Sequence, residues 1–398
     1  MSRILFVSPP YAGHAYPQQV LMQAAERAGY TCQQFTGGRF VDDLFRVANT
    51  PHQVGSNPIR VLNQLDASTA LLKPLQDELR QVIDEFQPHL IVADSVAVVA
   101  GPLAEERKLP WITTIATPFA IEQNEGTPAY CGGWRPGNSA SSKIRDAIGR
   151  AAIRYFKNFA FNKFKLRFNA IGYTQRLRAD GSEVIYSPHC ILGYGMWELE
   201  FPRDWPAHFE MIGPVILKGK PEPRLRNVNG LHVIISLGTH LLWAKDKLIS
   251  EVDQLARRLD HIQFTVSLGG SPGHTALRRS HNIQIFRYLD YTHHLSGADV
   301  VLHHGGAGIA YATILAGRPH VVVPHDYDHF DYAARLIHHG LALEAPSIAR
   351  ATHAILEATR MPLEHFMPFQ EIAEAYQPEE RFLHHVQRLI GKAASATA

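Results

Sequence analysis

Short runs of uninterrupted apolar residues, each followed by a turn and then by an apolar face at helical spacing, repeat along both halves of this chain. In the first half, Ile4–Ser8 reads as a buried strand ending at Pro9-Pro10. A polar turn, Tyr11-Ala12-Gly13-His14, leads into a helix over Gln18–Ala28 that Gly29 stops. Leu75–Glu85 predicts a helix closed by Pro88, and His89–Asp94 a strand. Ala97–Glu106 predicts a helix and Trp111–Ile115 a strand. The second half repeats the rhythm: strands at His232–Ser236, Gln263–Ser267, Val300–His303 and His320–Val323, with helices at Lys247–Leu259 and Ile309–Ala316. Strands this uniformly apolar are covered on both faces, and strand–helix–strand order predicts parallel sheets. Between the halves, Gly213–Asn229 carries Pro214, Pro221 and Pro223 and reads as a linker. The expected fold class is α/β, with two doubly wound, Rossmann-like domains facing each other across a cleft.

Composition narrows the functional classes. The 398 residues exceed one ordinary domain, and 45% hydrophobic against 19% charged residues supports two packed cores. A formal net charge of +2 gives no general case for nucleic-acid binding. Cys32, Cys131 and Cys190 lie far apart and fit neither a disulfide framework nor a metal ribbon. The apolar run Ile4–Val7 is too short for a signal-peptide core, and no run is long enough to span a bilayer, so the expected compartment is the cytoplasm.

One stretch breaks the rhythm. From Lys143 to Arg178 ten basic residues and a single acid, Asp146, interleave with Tyr155, Phe156, Phe159, Phe161, Phe164 and Phe168. Two readings stand: a surface helix whose aromatic side packs on the core, or a lid or membrane-surface face that meets an apolar or anionic acceptor.

The segment richest in chemistry is His303-His304-Gly305-Gly306-Ala307-Gly308, a strand end, a glycine loop and a helix start. Glycine lets a ligand approach the backbone closely, and the first N–H groups of the helix favour a phosphate or diphosphate. His304 can add a donor to that anion.

His304 to Gly317, followed by Pro319, Pro324 and Asp328, resembles the C-terminal signature of the nucleotide-sugar-dependent glycosyltransferases of GT-B fold, the family of macrolide, flavonoid and carotenoid glycosyltransferases. Ser236-Leu237-Gly238-Thr239 resembles the family's strand-end loop near the donor phosphates, and Met211-Ile212-Gly213-Pro214 its inter-domain element. Gly13-His14-Ala15-Tyr16-Pro17 resembles its N-terminal Gly-His-x-x-Pro, and Val92-Ala93-Asp94-Ser95 its second acidic loop. The resemblance implies an acceptor-binding domain over residues 1–214, a nucleotide-sugar-binding domain over 215–376, and a C-terminal helix within 377–398 that crosses back onto the first domain. It implies His14 as the base that deprotonates an acceptor hydroxyl and Asp94 as the acid that orients it, the arrangement that lets an imidazole work near neutral pH. Thr239, His304, Gly306 and Gly308 would hold the diphosphate, Tyr288 the base, and Asp328, with His329 beside it, the donor sugar.

Four positions depart from the family pattern. Ile309 stands where a small hydroxyl residue is common, Ala312 replaces the ribose-binding glutamate, His329 replaces a glutamine and Tyr332 an asparagine. Without the ribose carboxylate a dTDP-sugar weighs equally with a UDP-sugar. The expected function is inverting, metal-independent, hexosyltransferase-like transfer to a small apolar natural product or lipid, with no cofactor beyond the donor. Residues 50–70 and 118–175 are expected to shape the acceptor pocket. A non-catalytic relative that binds or activates another transferase and a sugar-nucleotide epimerase are the alternatives. Adjacent histidines, as at His293-His294 or His303-His304, point to opposite faces of a strand and make poor chelates.

Overall fold

The computed structural model describes residues 1–48, 58–219, 230–239, 242–269, 281–326 and 328–397. Twelve strands form two six-stranded sheets. The first contains β1 (Arg3–Val7), β2 (Thr31–Phe35), β3 (Leu90–Asp94), β4 (Trp111–Ile115), β5 (Ile191–Gly193) and β6 (Phe209–Met211), in the order β2-β1-β3-β4-β5-β6. The second contains β7 (His232–Ser236), β8 (Gln263–Ser267), β9 (Ile283–Phe286), β10 (Val300–His303), β11 (His320–Val322) and β12 (Ala342–Glu344), in the order β12-β11-β10-β7-β8-β9. Every pair in both ladders is parallel. The strand order reverses between β1 and β3 in one sheet and between β7 and β10 in the other. At such a point the loops at the strands' C-terminal ends diverge and open a crevice.

The uniform hydrophobicity of the strands follows from burial on both sides. Along β1, Ile4 and Phe6 face a core with Leu90, Val92 and Ile112, whereas Leu5 and Val7 face Ile91, Leu75, Leu79 and Leu103. In the second sheet Val233 and Ile235 pack on Val252 and Leu255 of the helix Lys245–Arg258, and Ile234 packs with Val301, Leu289 and Ile309 on the other side. The terminal helix Pro378–Thr397 sends Phe382, Val386 and Leu389 into the first sheet's core, against Ile4, Phe6 and Leu21. Arg381 and His385 from that helix bind Glu210 at 3.0 and 2.8 Å.

Between the sheets lies a shared core. Ile115, Phe119, Met196 and Met211 pack with Tyr311, Ile314, Tyr332 and Tyr376. The Tyr332 hydroxyl donates to the carbonyl of Ala116. Nε and Nη2 of Arg335 both reach Oε2 of Glu200, at 3.0 and 2.9 Å, and the guanidinium lies 4.1 Å over the ring of Phe119. Both charged side chains are almost fully buried.

Two expectations on the elements need correction. The first helix runs Ala12–Arg27, so Tyr11–His14 is its N-terminal turn rather than a polar loop. Pro17 disguised it: within the first two turns proline removes one bond, here to the carbonyl of Gly13, without breaking the helix. The regions expected as acceptor loops also carry helices, Pro58–Ala70 and Ala140–Lys163. Residues 220–229 of the expected linker and 50–57 of the first expected acceptor loop lie outside the described residues.

Replacing Glu200 by Ala leaves the buried guanidinium without its carboxylate and is expected to destabilise the fold by about 3–5 kcal/mol. The double change Glu200→Leu with Arg335→Met should lose much less. Urea unfolding midpoints of the three proteins check this.

Candidate active site

The loops at the two strand-order reversals face each other and line one cleft. His14, Pro17, Ala116 and Thr117 come from the first domain; Gly238, Thr239, Tyr288, His304, Gly306, Gly308, Asp328 and His329 come from the second. Of the expected catalytic and donor-binding residues, all but Asp94 line it, and Asp94 stands directly behind His14.

His14 sits in the first turn of the Ala12–Arg27 helix. Its Nδ1 lies 3.0 Å from Oδ1 of Asp94, the last residue of β3. The same oxygen accepts the N–H of Val96 at 2.9 Å, which fixes the carboxylate. With Nδ1–H donating to Asp94, the neutral imidazole keeps its lone pair on Nε2. Four residues on, buried Gln18 donates to Oγ1 of Thr114 at 3.1 Å and anchors the helix to the sheet. Burial alone would lower the pKa of His14, but the charge and hydrogen bond of Asp94, together with the charge of Asp328 across the cleft, raise it above the usual imidazole value. Asp328, at the start of the helix His329–His338, is itself pushed up to about 7 by burial.

On the opposite wall His304 is wedged between two backbone loops. A Cβ on Gly238 would stand 2.5 Å from its Cε1, and one on Gly306 2.5 Å from its Nε2. Gly238 also has φ +66°. Both glycines therefore make the slot that the ring occupies. His329 closes it from the side, with ring centroids 4.6 Å apart, and accepts the N–H of Asp326 on Nδ1 at 3.2 Å. Gly306 is the N-cap of the helix Ala307–Leu315, whose first amides point into the cleft beside the open face of Gly308.

The neighbouring His303 faces the other way. Its Nδ1 accepts the N–H of Gly305 at 3.1 Å, so Nε2 carries the proton and donates to Nδ1 of His320 at 2.9 Å. Burial holds both rings neutral, His320 down to about 3. This relay fixes the glycine loop from behind. Among the described residues no three His, Cys, Asp or Glu side chains are grouped so as to hold a metal ion.

Sequence reading missed three contributors. Lys245, fully buried, donates from Nζ to the carbonyls of Leu237, at 2.7 Å, and Gly238. Burial pushes its pKa down to about 7, and among the described residues no carboxylate pairs with it. The Tyr291 hydroxyl meets Oγ of Ser236 at 2.6 Å beneath the same loop. Tyr311 reaches the cleft from the shared core. A lysine opening a helix reads as a surface residue, and only the packed loop reveals its burial. Two of the departures take on a structural sense. Tyr332 does not line the cleft but clamps the domains together, and Ala312 lies in an apolar cluster with Ile234, Leu289 and Ile309.

Two opposed, parallel, doubly wound sheets with loops meeting at both reversals define the GT-B fold, and a histidine–carboxylate pair facing a glycine loop fits a nucleotide-sugar transferase. The comparisons agree. Residues 253–375 match the family described as erythromycin biosynthesis protein CIII-like, C-terminal domain. Zeaxanthin glucosyltransferase of Pseudescherichia vulneris is 22% identical over 384 residues, spanning 88% of this chain and 87% of the relative. The solved structure of the glycotransferase of kitacinnamycin superposes with a TM-score of 0.72 at 18% identity, over 98% of this chain and 99% of that one. Spinosyn rhamnosyltransferase SpnG, solved with thymidine diphosphate, gives 0.66 at 18% identity over 96% and 100%. The chain has the GT-B fold over its whole length and is similar in sequence to these glycosyltransferases.

Substituting Gly238 by Ala should displace His304 and abolish stabilisation by nucleoside diphosphates in a thermal-shift assay, with the far-UV circular dichroism unchanged.

Proposed function

We propose that the protein is an inverting glycosyltransferase that moves a sugar from a UDP- or dTDP-sugar to a hydroxyl of a small apolar natural product or lipid. One observation carries this reading: His14 and the glycine loop line the same cleft from opposite walls, and Asp328 acts on His14 across it. In this reading residues 1–214 receive the acceptor, 215–376 hold the donor, and the helix within 377–398 ties the two together.

The chemistry is a single displacement. Nε2 of His14 takes the acceptor's hydroxyl proton as its oxygen attacks the anomeric carbon. The bond to the diphosphate breaks on the opposite face, and its electron pair leaves with the diphosphate oxygen, so the anomeric configuration inverts. Asp94 stabilises the imidazolium that forms. The charge on the departing diphosphate meets His304, Thr239 and the first amides of the Ala307–Leu315 helix, with the ammonium of Lys245 behind Gly238. Asp328 receives hydroxyls of the donor sugar with His329 beside it, and Tyr288 lies against the base. These groups answer the charge without a metal ion.

Ala312 itself brings no carboxylate for a ribose diol. That supports a thymidine donor as readily as a uridine one, and SpnG was solved with thymidine diphosphate. Relatives named for zeaxanthin, an apolar molecule, support the acceptor class. No described helix is long and apolar enough to cross a membrane, and we assign the protein to the cytoplasm. The departures at Ile309, Ala312, His329 and Tyr332 first suggested a non-catalytic partner. The intact His14–Asp94 pair and the packing role of Tyr332 favour the enzyme.

Three outcomes test the reading. His14→Ala should keep the thermal shift with UDP or dTDP and lose transfer by about 10²–10⁴-fold, as product formation in mass spectrometry would show; unchanged transfer removes His14 from the mechanism. His14 must be neutral to act, and its pKa is raised. Activity should therefore be present at higher pH and fall away as pH drops through that value. Asp328→Asn removes a charge that raises it, so the acidic limb of kcat/KM should move to lower pH while KM for the donor rises. Lys245→Met should weaken nucleoside-diphosphate binding while leaving the pH of that limb in place, measured by calorimetric titration and a pH–rate profile.

A further inference from the structure

The helix Ala140–Lys163 has two unlike long faces. On the inward face Asp146 accepts Oγ1 of Thr127 at 2.8 Å and pairs with Arg145. Arg150 binds the carbonyl of Gly126, Arg154 binds Glu122 at 2.7 Å, and Lys157 binds Glu183 at 2.8 Å. Phe164, immediately after the helix, is buried, and Phe161 and Phe168 stack at 5.0 Å against the first domain's core. To this extent the stretch packs as a surface helix.

The outward face does not fit that account. Ile144, Ile148, Ala151, Ala152, Tyr155 and Phe159 recur at i, i+4, i+7, i+8, i+11 and i+15, which places them on one side of the helix. They are exposed, Ile144 by 61%, Ile148 by 63%, Tyr155 by 73% and Phe159 by 44%; Leu166 in the following helix Lys165–Ala170 is exposed by 86%. From Ile144 to Phe159 the stripe runs about 22 Å at 1.5 Å per residue. Single exposed apolar side chains are ordinary, but a continuous stripe along a helix marks a contact surface.

Charge identifies the partner. The only acid in this stretch, Asp146, is buried and paired. Three lysines are exposed at the two ends of the stripe, Lys143 at one and Lys163 and Lys165 at the other. Among the described residues none has a carboxylate within ion-pair distance, and Lys163 lies over the ring of Phe164. An apolar centre with positive ends and no negative group suits the interface of an anionic bilayer, where apolar side chains enter the headgroup boundary and lysines reach lipid phosphates. A second copy of the chain suits it poorly, because antiparallel pairing of two such helices sets Lys143 against Lys163 and Lys165.

We propose that the outward face of the Ala140–Lys163 helix, extended by Leu166, docks the protein on anionic lipid membranes. The inference stands on the helix surface and is independent of the donor and of the His14 mechanism.

The test is flotation of the full-length protein with vesicles of phosphatidylcholine mixed with phosphatidylglycerol, and with vesicles of phosphatidylcholine alone. Binding should favour the mixed vesicles and weaken with added salt. Lys163→Gln with Lys165→Gln should reduce it roughly tenfold or more. Ile148→Glu with Tyr155→Glu should abolish it while leaving the melting temperature and nucleoside-diphosphate binding unchanged, since neither side chain supports the fold or the cleft. Absence of binding to the mixed vesicles, or binding that survives the double glutamate change, overturns the proposal. So does a dimer in light scattering that the same change dissociates, which would give the face to a second copy.

Discussion

The contact that the cleft depends on is the buried junction between the sheets, where Arg335 meets Glu200 over the ring of Phe119 and Tyr332 donates to Ala116. Each sheet by itself supplies half of a site. Neither half can position a reacting group against the other unless the two crevices are held face to face. An arginine with both donors on one buried oxygen is directional, because any rotation of the domains strands two charges away from water. The apolar cluster around Tyr311, Tyr332, Met211 and Tyr376 adds area but little direction. The terminal helix closes the arrangement from behind, since Phe382 and Val386 insert beneath β1 only after the chain has left the second domain.

On that frame the two walls of the cleft use different physics. On the first wall stands an imidazole whose tautomer Asp94 sets and whose pKa the carboxylates of Asp94 and Asp328 raise. On the second are helix amides and glycine turns, backed by neutral histidines and one buried lysine. Keeping His303 and His320 neutral matters, because charging them within the sheet would cost more than the loop gains. The donors of this wall are thus backbone amides, with Lys245 holding the carbonyls of Leu237 and Gly238 from behind. Asp328 belongs to both walls: it stands on the second domain yet alters the titration of His14 on the first.

The outward side of the molecule follows a separate logic. The helix that covers the first domain spends its arginines and Lys157 inward, on Glu122, Glu183 and backbone carbonyls. The basic composition of Lys143–Arg178 is thereby largely consumed by the fold. What remains outward is an apolar stripe with three exposed lysines, and the reading as a surface helix packed on the core holds for the inward face.

The sequence by itself determined much of this protein. The apolar runs within β1, β3, β7 and β10 are a local signal that survives any tertiary context, because strands covered on both faces show little polar side. The glycine loop was legible because its backbone demands admit few residue types, whereas His14 and Asp94 stood out through the resemblance of their segments to the family's motifs. The strands β2, β5, β6, β9 and β12 were not legible, since β2 is mostly polar and the others are three or four residues without a long apolar run. The N-terminal extension of the first helix was hidden by Pro17. Only the tertiary structure decided that Lys245 is buried under the Leu237–Gly238 turn, that Tyr332 serves the junction between the sheets, and that Asp328 acts on His14. These are relations between segments distant in the chain, fixed by packing and by the field of charges brought together only on folding, and no local pattern encodes them.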